Sequence, residues 1–457
     1  MSRVLVPLAV AAALASSPAR AAPPLTLDEA LAAAARESPD LALARADADM
    51  ADADRTASLA GVLPRLDLTA SFGHEYFGGS DDESYLRASG DERYALPGRY
   101  DPTKYNHEEA YGLQLRLVQP LFDQATLREV RRARFGARAA ERQYEEAALS
   151  VAFDVTRRFY EVVRAERALA VLQKAAARSE ELVDRSDALY AAGRTPKSDT
   201  LQARVNLAND RVAVQGQLVR AAQARHALAQ ALGRDDGAEV AVVAPATLDG
   251  AAPTAPEPPP LDALLAAGRA RRPALAAQAA LVEAADATVG SARAGYLPTV
   301  SAQASYGRQG AVLAGDLGGV YGDDPSRNYA ARTELVLSWN LFEGRRTVAN
   351  VRRAEASARR ARATLDRTAA QVTQQIADAR AAAAALSREV ALAGESLAVA
   401  EQGLALARER LDAGLATQLE VRDASLKLTQ AELALLEARI DEALARADLA
   451  RAVGGPF

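Results

Sequence analysis

Residues 126–193 read TLREVRRARFGARAAERQYEEAALSVAFDVTRRFYEVVRAERALAVLQKAAARSEELVDRSDALYAAG. No proline lies between Pro120 and Pro196, and Ala148, Val155, Val162, Leu169, Ala176, Val183 and Tyr190 recur every seven residues. A heptad sustained this far packs beside other helices, knobs into holes. At ~1.5 Å per residue, Thr126–Ala192 spans on the order of 100 Å, well beyond the ~25 residues of an ordinary globular helix. Abundant alanine beside the seam lets the helix approach more than one neighbour, as in the wall of a cylinder.

The same pattern returns in Thr347–Ala413, as Ala369, Ile376, Ala383, Val390, Leu397, Leu404 and Leu411, again with no proline between Pro325 and Pro456. The chain is therefore internally duplicated. Asp28, Pro39, Gly61, Pro64 and Gly73 recur 234 residues on, as Asp262, Pro273, Gly295, Pro298 and Gly307. Leu121-Phe122-Asp123 recurs 220 residues on, as Leu341-Phe342-Glu343, and Ala192-Gly193 recurs 221 on, as Ala413-Gly414. One loop thus differs in length between the copies. The first repeat covers 22–232 and the second 261–457, joined by a Pro-rich segment, 233–260, with a short strand expected at Glu239–Val243. Each long helix, about 126–192 and 347–413, turns back into a return helix, about 196–232 and 418–453. Gly193 and Gly414 end the outgoing helices; Thr195-Pro196 supplies N-cap and N1 in the first copy, and Thr417-x-x-Glu420 reads as a capping box in the second.

Ahead of each long helix the periodicity changes from helical to two. Leu66, Leu68, Ala70 and Phe72 alternate with polar residues, as do Tyr111, Leu113, Leu115 and Leu117, then Val300, Ala302, Ala304 and Tyr306, then Leu335, Leu337 and Trp339. These are four strands in two hairpins, 65–119 and 299–340, each long enough to cross a bilayer at a tilt. Phe72, Tyr111, Tyr306 and Trp339 stand at strand ends, as membrane-interface aromatics do. The loops within the hairpins, roughly 74–110 and 308–328, are rich in Gly, Asp and Tyr and read as outer loops. Two hairpins leave open edges that lipid does not tolerate, so several chains must share one barrel.

The start of the chain and its composition agree. Arg3, the apolar run Val4–Ala15 and Ala19-Arg20-Ala21 read as an export signal over 1–21. Past residue 21 no uninterrupted apolar run reaches the ~18–20 residues of a spanning helix. Cysteine is absent, which excludes disulfides, thiolate metal sites and a lipidated N-terminal Cys. The net charge of −5 gives no reason to expect nucleic acid as a partner. His74, His107 and His226 are scattered, so neither a metal nor an acid–base site is expected, and no cofactor. Gly-rich Tyr306–Gly322 lacks the G-K-[ST] of a phosphate loop. Arg128, Arg131, Arg132 and Arg134, with Arg345, Arg346, Arg352 and Arg353, fall just past the strands in both copies and read as a solvated periplasmic collar.

Taken together, the chain resembles the TolC family of outer-membrane efflux proteins. The residues that carry the resemblance are the L-D-E-A-L and L-D-A-L-L openings and Leu63-Pro64 with Leu297-Pro298. To these add Gln119-Pro120-Leu121-Phe122-Asp123 with Trp339-Asn340-Leu341-Phe342-Glu343, and the tips Ala192-Gly193-Arg194-Thr195 and Ala413-Gly414-Leu415-Ala416-Thr417. The resemblance implies an α+β membrane protein: a homotrimer with a 12-stranded β-barrel in outer-membrane lipid above a periplasmic α-barrel. It also implies a passive exit duct whose tip (Gly193, Arg194, Thr195, Gly414, Leu415, Thr417) meets a periplasmic adaptor coupled to an inner-membrane pump. A coiled-coil structural protein of the periplasm or cell surface is the alternative.

A duct needs a path, a gate and a docking rim but no catalytic residues. Glu420 and Asp423 lie three apart on one helix face and match the family's acidic pair at the tunnel constriction. Asp199 stands at the Glu420 position of the first copy, where Gln202 replaces Asp423. Capping alone explains Glu420, whereas Asp423 lies about a turn further in, beyond the reach of a cap. Leu411 and Ala416 occupy positions where some relatives carry Tyr and Arg in tip-closing links.

Overall fold

The computed structural model describes residues 25–78, 105–234, 240–245, 248, 257–310 and 329–455. The export signal expected over 1–21, most of both outer loops and part of the Pro-rich segment lie outside them. Each repeat opens with a pair of helices: α1 (Leu27–Glu37) and α2 (Pro39–Leu59) in the first, α5 (Leu261–Arg271) and α6 (Pro273–Ala294) in the second. A proline divides each pair. Pro39 and Pro273 push the preceding residue out of the helical region, and Ser38 and Arg272 are extended, at ψ 123° and 115°.

Strands β1 (Arg65–Gly78) and β2 (Tyr105–Phe122) follow α2, and β3 (Thr299–Gly310) and β4 (Tyr329–Ser338) follow α6. They form one antiparallel sheet in the order β1-β2-β3-β4, so β2 and β3 join the repeats and β1 and β4 are edges. Beyond β2 run the long helix α3 (Gln124–Ala191) and its return α4 (Lys197–Ala231); beyond β4 run α7 (Arg346–Asp412) and α8 (Gln418–Val453). Entry into α3 is fixed by Asp123, whose carboxylate accepts from the Ala125 and Thr126 amides. Entry into α7 carries one more residue, with Gly344 and Arg345 both left-handed (φ 57° and 71°), and this accounts for the change in offset from 220 to 221.

Two compact units result, each with parts of both repeats. The first (Ala48–Glu141 and Ala277–Leu365) holds the sheet. One of its faces carries Leu66, Leu68, Phe72, Leu335 and Leu337, which are 63–69% exposed, along with Leu113, Leu115, Leu117, Tyr306 and Trp339. The other face is polar, with Asp67, Thr69, Ser71, Gln114, Glu334 and an Arg116–Gln303 hydrogen bond of 2.8 Å. Among the described residues no apolar layer covers the exposed leucines; this is a wall rather than half of a sandwich. Ion pairs tie the helices next to the sheet: Arg131–Glu283 at 3.7 Å between α3 and α6, and Arg362–Asp286 at 2.7 Å and Arg293–Glu355 at 2.8 Å between α7 and α6.

The second unit (Met1–Asp47, Arg142–Ala276 and Asp366–Phe457) is held by two equivalent cores. One gathers Ala30, Val155, Phe159, Leu228 and Leu232; the other, Leu264, Ile376, Leu449 and Val453. Val155 and Ile376, like Leu228 and Leu449, are 221 residues apart, so the duplication recurs in the packing. Gly233 and Gly454, both at positive φ, end the return helices against the breaks in the opening helices. A Cβ on Gly233 would lie 2.4 Å from the Glu37 carbonyl oxygen. The breaks differ in one respect. Ser38 fills the first, whereas Arg272 fills the second, 4% exposed, donating to Glu146 at 2.6 Å and to the Arg451 carbonyl. Burial pulls the Arg272 pKa down and the Glu146 carboxylate opposes it. One 18-residue window of α7 reaches a mean hydropathy of 1.2, yet the helix is 67 residues long, far more than the ~20 that a bilayer needs.

Candidate functional site

The two hairpin tips, α3–α4 and α7–α8, are the places where the chain turns without a strand or proline-rich segment to hold it. Each turn depends on a glycine in the left-handed region, Gly193 at φ 69° and Gly414 at φ 72°. The amide after each glycine then reaches back to the helix end: Arg194 N to Leu189 O at 2.9 Å, and Leu415 N to Arg410 O at 2.8 Å. Gly193, Arg194, Gly414, Leu415 and Thr417 are exposed and Thr195 is half-buried.

The return helices begin differently. Thr417 and Glu420 form a complete capping box, with both reciprocal hydrogen bonds at 3.3 Å. In the first copy the expected Thr195 cap is not made. Pro196 takes the N-cap position with no side-chain bond, and Thr195 Oγ1 is buried without a partner among the described residues.

The three candidate gate acids have different surroundings. Glu420 pairs with Arg410 at 3.2 Å in addition to its capping role. Asp423 pairs with Lys427 at 2.7 Å across one turn, both side chains more than half exposed. Asp199 accepts from Ser198 Oγ at 3.2 Å and lines a cleft of about 250 Å³ with Gln202, Asn206, Thr417, Gln418, Leu419 and Arg422. The first-copy acid therefore faces the start of the second-copy return helix, while Glu420 and Asp423 are not among the residues lining that cleft.

Beneath the cleft is a charged cluster that the sequence reading passes over. Arg422 of α8 grips Asp210 of α4 with both guanidinium nitrogens, at 2.6 and 2.9 Å, and also donates to Ser179 of α3 at 2.8 Å. Ser179 in turn donates to Asp210. Both charged side chains are under 20% exposed, where a fork-shaped pair is strong and removing one partner strands the other. A neighbouring link has the same character: Arg178 donates to Thr429 at 2.8 Å and pairs with Glu432 at 3.4 Å. Closer to the tips, Arg185 pairs with Asp412 at 2.6 Å. Apart from the Ser179–Asp210 bond, which lies within the first hairpin, these links join the first hairpin to the second. A signal for them exists, because Asp210 lies in a heptad column with buried Ala203 and Gln217, and a carboxylate in a seam requires a partner.

In the sheet unit, Phe72, Tyr306 and Trp339, three of the aromatics expected at the membrane interface, lie on the apolar face. Tyr306 stacks on Tyr329 with ring centroids 6.0 Å apart, and Trp339 donates to the Tyr296 carbonyl at 3.1 Å. Phe72 is paired through its backbone with Tyr111, whose side chain lies outside the described residues. Just past the sheet, the Arg132 hydrogen bond holds the Glu129 carboxyl below the usual range.

A family model described as outer membrane efflux protein matches residues 30–234 and 264–455. No curated protein matches. Among solved structures, the VceC outer membrane protein of Vibrio cholerae is 23% identical with a TM-score of 0.73, covering 94% of this chain and 96% of that one. The open state of the MtrE outer membrane channel of Neisseria gonorrhoeae is 20% identical with a TM-score of 0.76, covering 94% and 89%. The CmeC outer membrane channel of Campylobacter jejuni is 18% identical with a TM-score of 0.75, covering 94% and 86%. At these identities the likeness is one of fold.

Proposed function

The chain belongs to the outer membrane efflux protein family, and from that premise we propose that it is a passive duct closed at the tips of its two helical hairpins. The family is one of outer-membrane exit ducts rather than enzymes, with the helical part in the periplasm. The observation that carries the reading is the four-stranded sheet with one exposed apolar face, one polar face and two open edges. Such a sheet is a segment of a barrel wall, apolar toward lipid and polar toward a lumen. We take the assembly to be a homotrimer, which makes twelve strands. Its exposed tips, Gly193, Arg194, Thr195, Gly414, Leu415 and Thr417, would meet a periplasmic adaptor that couples the duct to an inner-membrane pump. Recovery of a trimer from the outer-membrane fraction, conducting in planar bilayers, is the expected result. A soluble periplasmic monomer would sink the duct and favour a coiled-coil structural protein.

The gate is assigned to Glu420, Asp423 and Asp199 at the constriction, with the Arg422–Asp210–Ser179 cluster holding the hairpins together beneath it. In a closed ring of chains the carboxylates of each copy gather around the axis and attract cations. Asp423→Ala is expected to weaken cation preference, or block by divalent cations, in the reconstituted channel. Unchanged selectivity and conductance would remove Asp423 from the gate.

A further inference from the structure

We infer that the helices just beneath the sheet hold the headgroup of an anionic phospholipid, in a cleft formed by α3, α6 and α7; this rests on reading the sheet as a membrane segment. The cleft measures about 900 Å³. Arg128 of α3, Arg293 of α6, and Arg359 and Arg362 of α7 line it, against two carboxylates, Asp286 and Glu355. Two of the arginines are engaged, Arg293 with Glu355 at 2.8 Å and Arg362 with Asp286 at 2.7 Å. Arg128 and Arg359 have no carboxylate partner among the described residues. The cleft is left with an excess of guanidinium groups, whose fork geometry suits the oxygens of a phosphate ester.

The two ion pairs fix the register of α6 against α7 and set Arg359 level with Val289. Arg128 reaches the next residue from α3, since a Cβ on Gly290 would come within 2.8 Å of its Cδ and 3.0 Å of its Nε. Glycine there leaves the Arg128 side chain room to lie against α6. Both unpaired arginines thus stand at one level, between the Arg293–Glu355 pair above and the Asp286–Arg362 pair below. Gly290 precedes Tyr296 by six residues, roughly 9 Å at ~1.5 Å per residue. The headgroup layer of a bilayer is about 5–8 Å deep on each side, and long arginine side chains span the difference.

The upper rim of the cleft is apolar. Tyr296 and Leu297, 49% and 45% exposed, line it where α6 gives way to β3. Trp339, on the apolar face of the sheet, donates to the Tyr296 carbonyl at 3.1 Å, so this rim continues the surface assigned to lipid. A phospholipid with its acyl chains against the sheet would bring its phosphate down to Arg128 and Arg359. A free phosphate shares that charge but gains nothing from the apolar rim. The duplication does not repeat the site. Through the repeat offsets, Leu59 stands in the place of Arg293, Ala349 in that of Arg128 and Glu141 in that of Arg362. The arginines are thus particular to this cleft rather than a general feature of the collar.

Full-length protein in detergent, titrated with phosphatidylglycerol or phosphatidylcholine and followed by native mass spectrometry, tests the assignment. Phosphatidylglycerol is expected to be retained in preference, by about fivefold for each arginine engaged. Arg128→Gln/Arg359→Gln should bring the two lipids to parity, and Arg128→Lys/Arg359→Lys should keep most of the preference. Glu355→Gln, which frees Arg293, should increase it, a gain that misfolding cannot imitate. Arg345→Gln/Arg346→Gln, outside the cleft, should leave it unchanged. An equal loss in that outside pair would show diffuse attraction by the collar and overturn the site. An undiminished preference in Arg128→Gln/Arg359→Gln, or no gain in Glu355→Gln, would overturn it as well. Displacement of phosphatidylglycerol by an equal concentration of inorganic phosphate would reduce the cleft to a free-anion site and overturn the lipid. If the unmodified protein does not fractionate with the outer membrane, the membrane reading itself fails, an outcome distinct from all of these.

Discussion

The sequence Val-Arg-Arg-Ala occurs twice, as residues 130–133 of α3 and 351–354 of α7, both just beyond the strands. In the first, Arg131 reaches Glu283 across the seam and Arg132 is hydrogen-bonded to Glu129. In the second, Asn350 replaces Glu129, and neither Arg352 nor Arg353 has an ion pair among the described residues. Identical residues are thus tied to neighbouring carboxylates in one copy and not in the other. The difference teaches that a repeated sequence does not carry its contacts with it, because the partners belong to other elements. What distinguishes the copies therefore lies in their surroundings and in the few positions that have diverged.

The most severe break should come at the opening helices, where Arg272 stands in the second copy at the place of Ser38 in the first. Glu146→Ala leaves a 4%-exposed guanidinium without its carboxylate, and about 3–5 kcal/mol is expected to be lost. Thermal unfolding followed by circular dichroism should register this, while Ser38→Ala shifts the transition far less. Arg422→Ala comes next. It removes charged hydrogen bonds to Asp210 and Ser179, at a cost of about 1.5–3 kcal/mol, and should raise the open fraction of the reconstituted channel. A closed tip that stays closed would show that the hairpins are held elsewhere.

A smaller effect separates the two caps. Thr417→Ala should cost about 1 kcal/mol and speed hydrogen exchange in the first turn of α8. Thr195→Val should leave α4 unaffected, because that hydroxyl caps nothing. The smallest effect is on pH. Glu129 titrates below its unfolded value, so its pair with Arg132 contributes fully above that value, near ~4.3, and is lost as the pH falls through the folded one. Exchange over residues 125–135 should therefore quicken in mild acid, while 346–356, with Asn350 in that place, should not.

Much of the architecture could be read along the chain because it is periodic. A heptad without proline makes a long helix wherever it occurs, and strict alternation makes a two-faced strand. The breaks at Ser38 and Arg272 have their sequence mark in Pro39 and Pro273. The contacts among Arg422, Asp210 and Ser179 have no local signature, since Arg422 stands 212 and 243 residues from its two partners. Asp210 stood out only as a carboxylate in a column of buried Ala203 and Gln217.

Local periodicity and its repetition are properties of the backbone and of apolar spacing, so the sequence alone determined that the chain is written twice, as hairpins and long helices. Which acid meets which arginine was decided by tertiary structure. A charged pair depends on distance and burial, and those are set only when helices from both repeats pack side by side and the sheet leaves its two outer edges open.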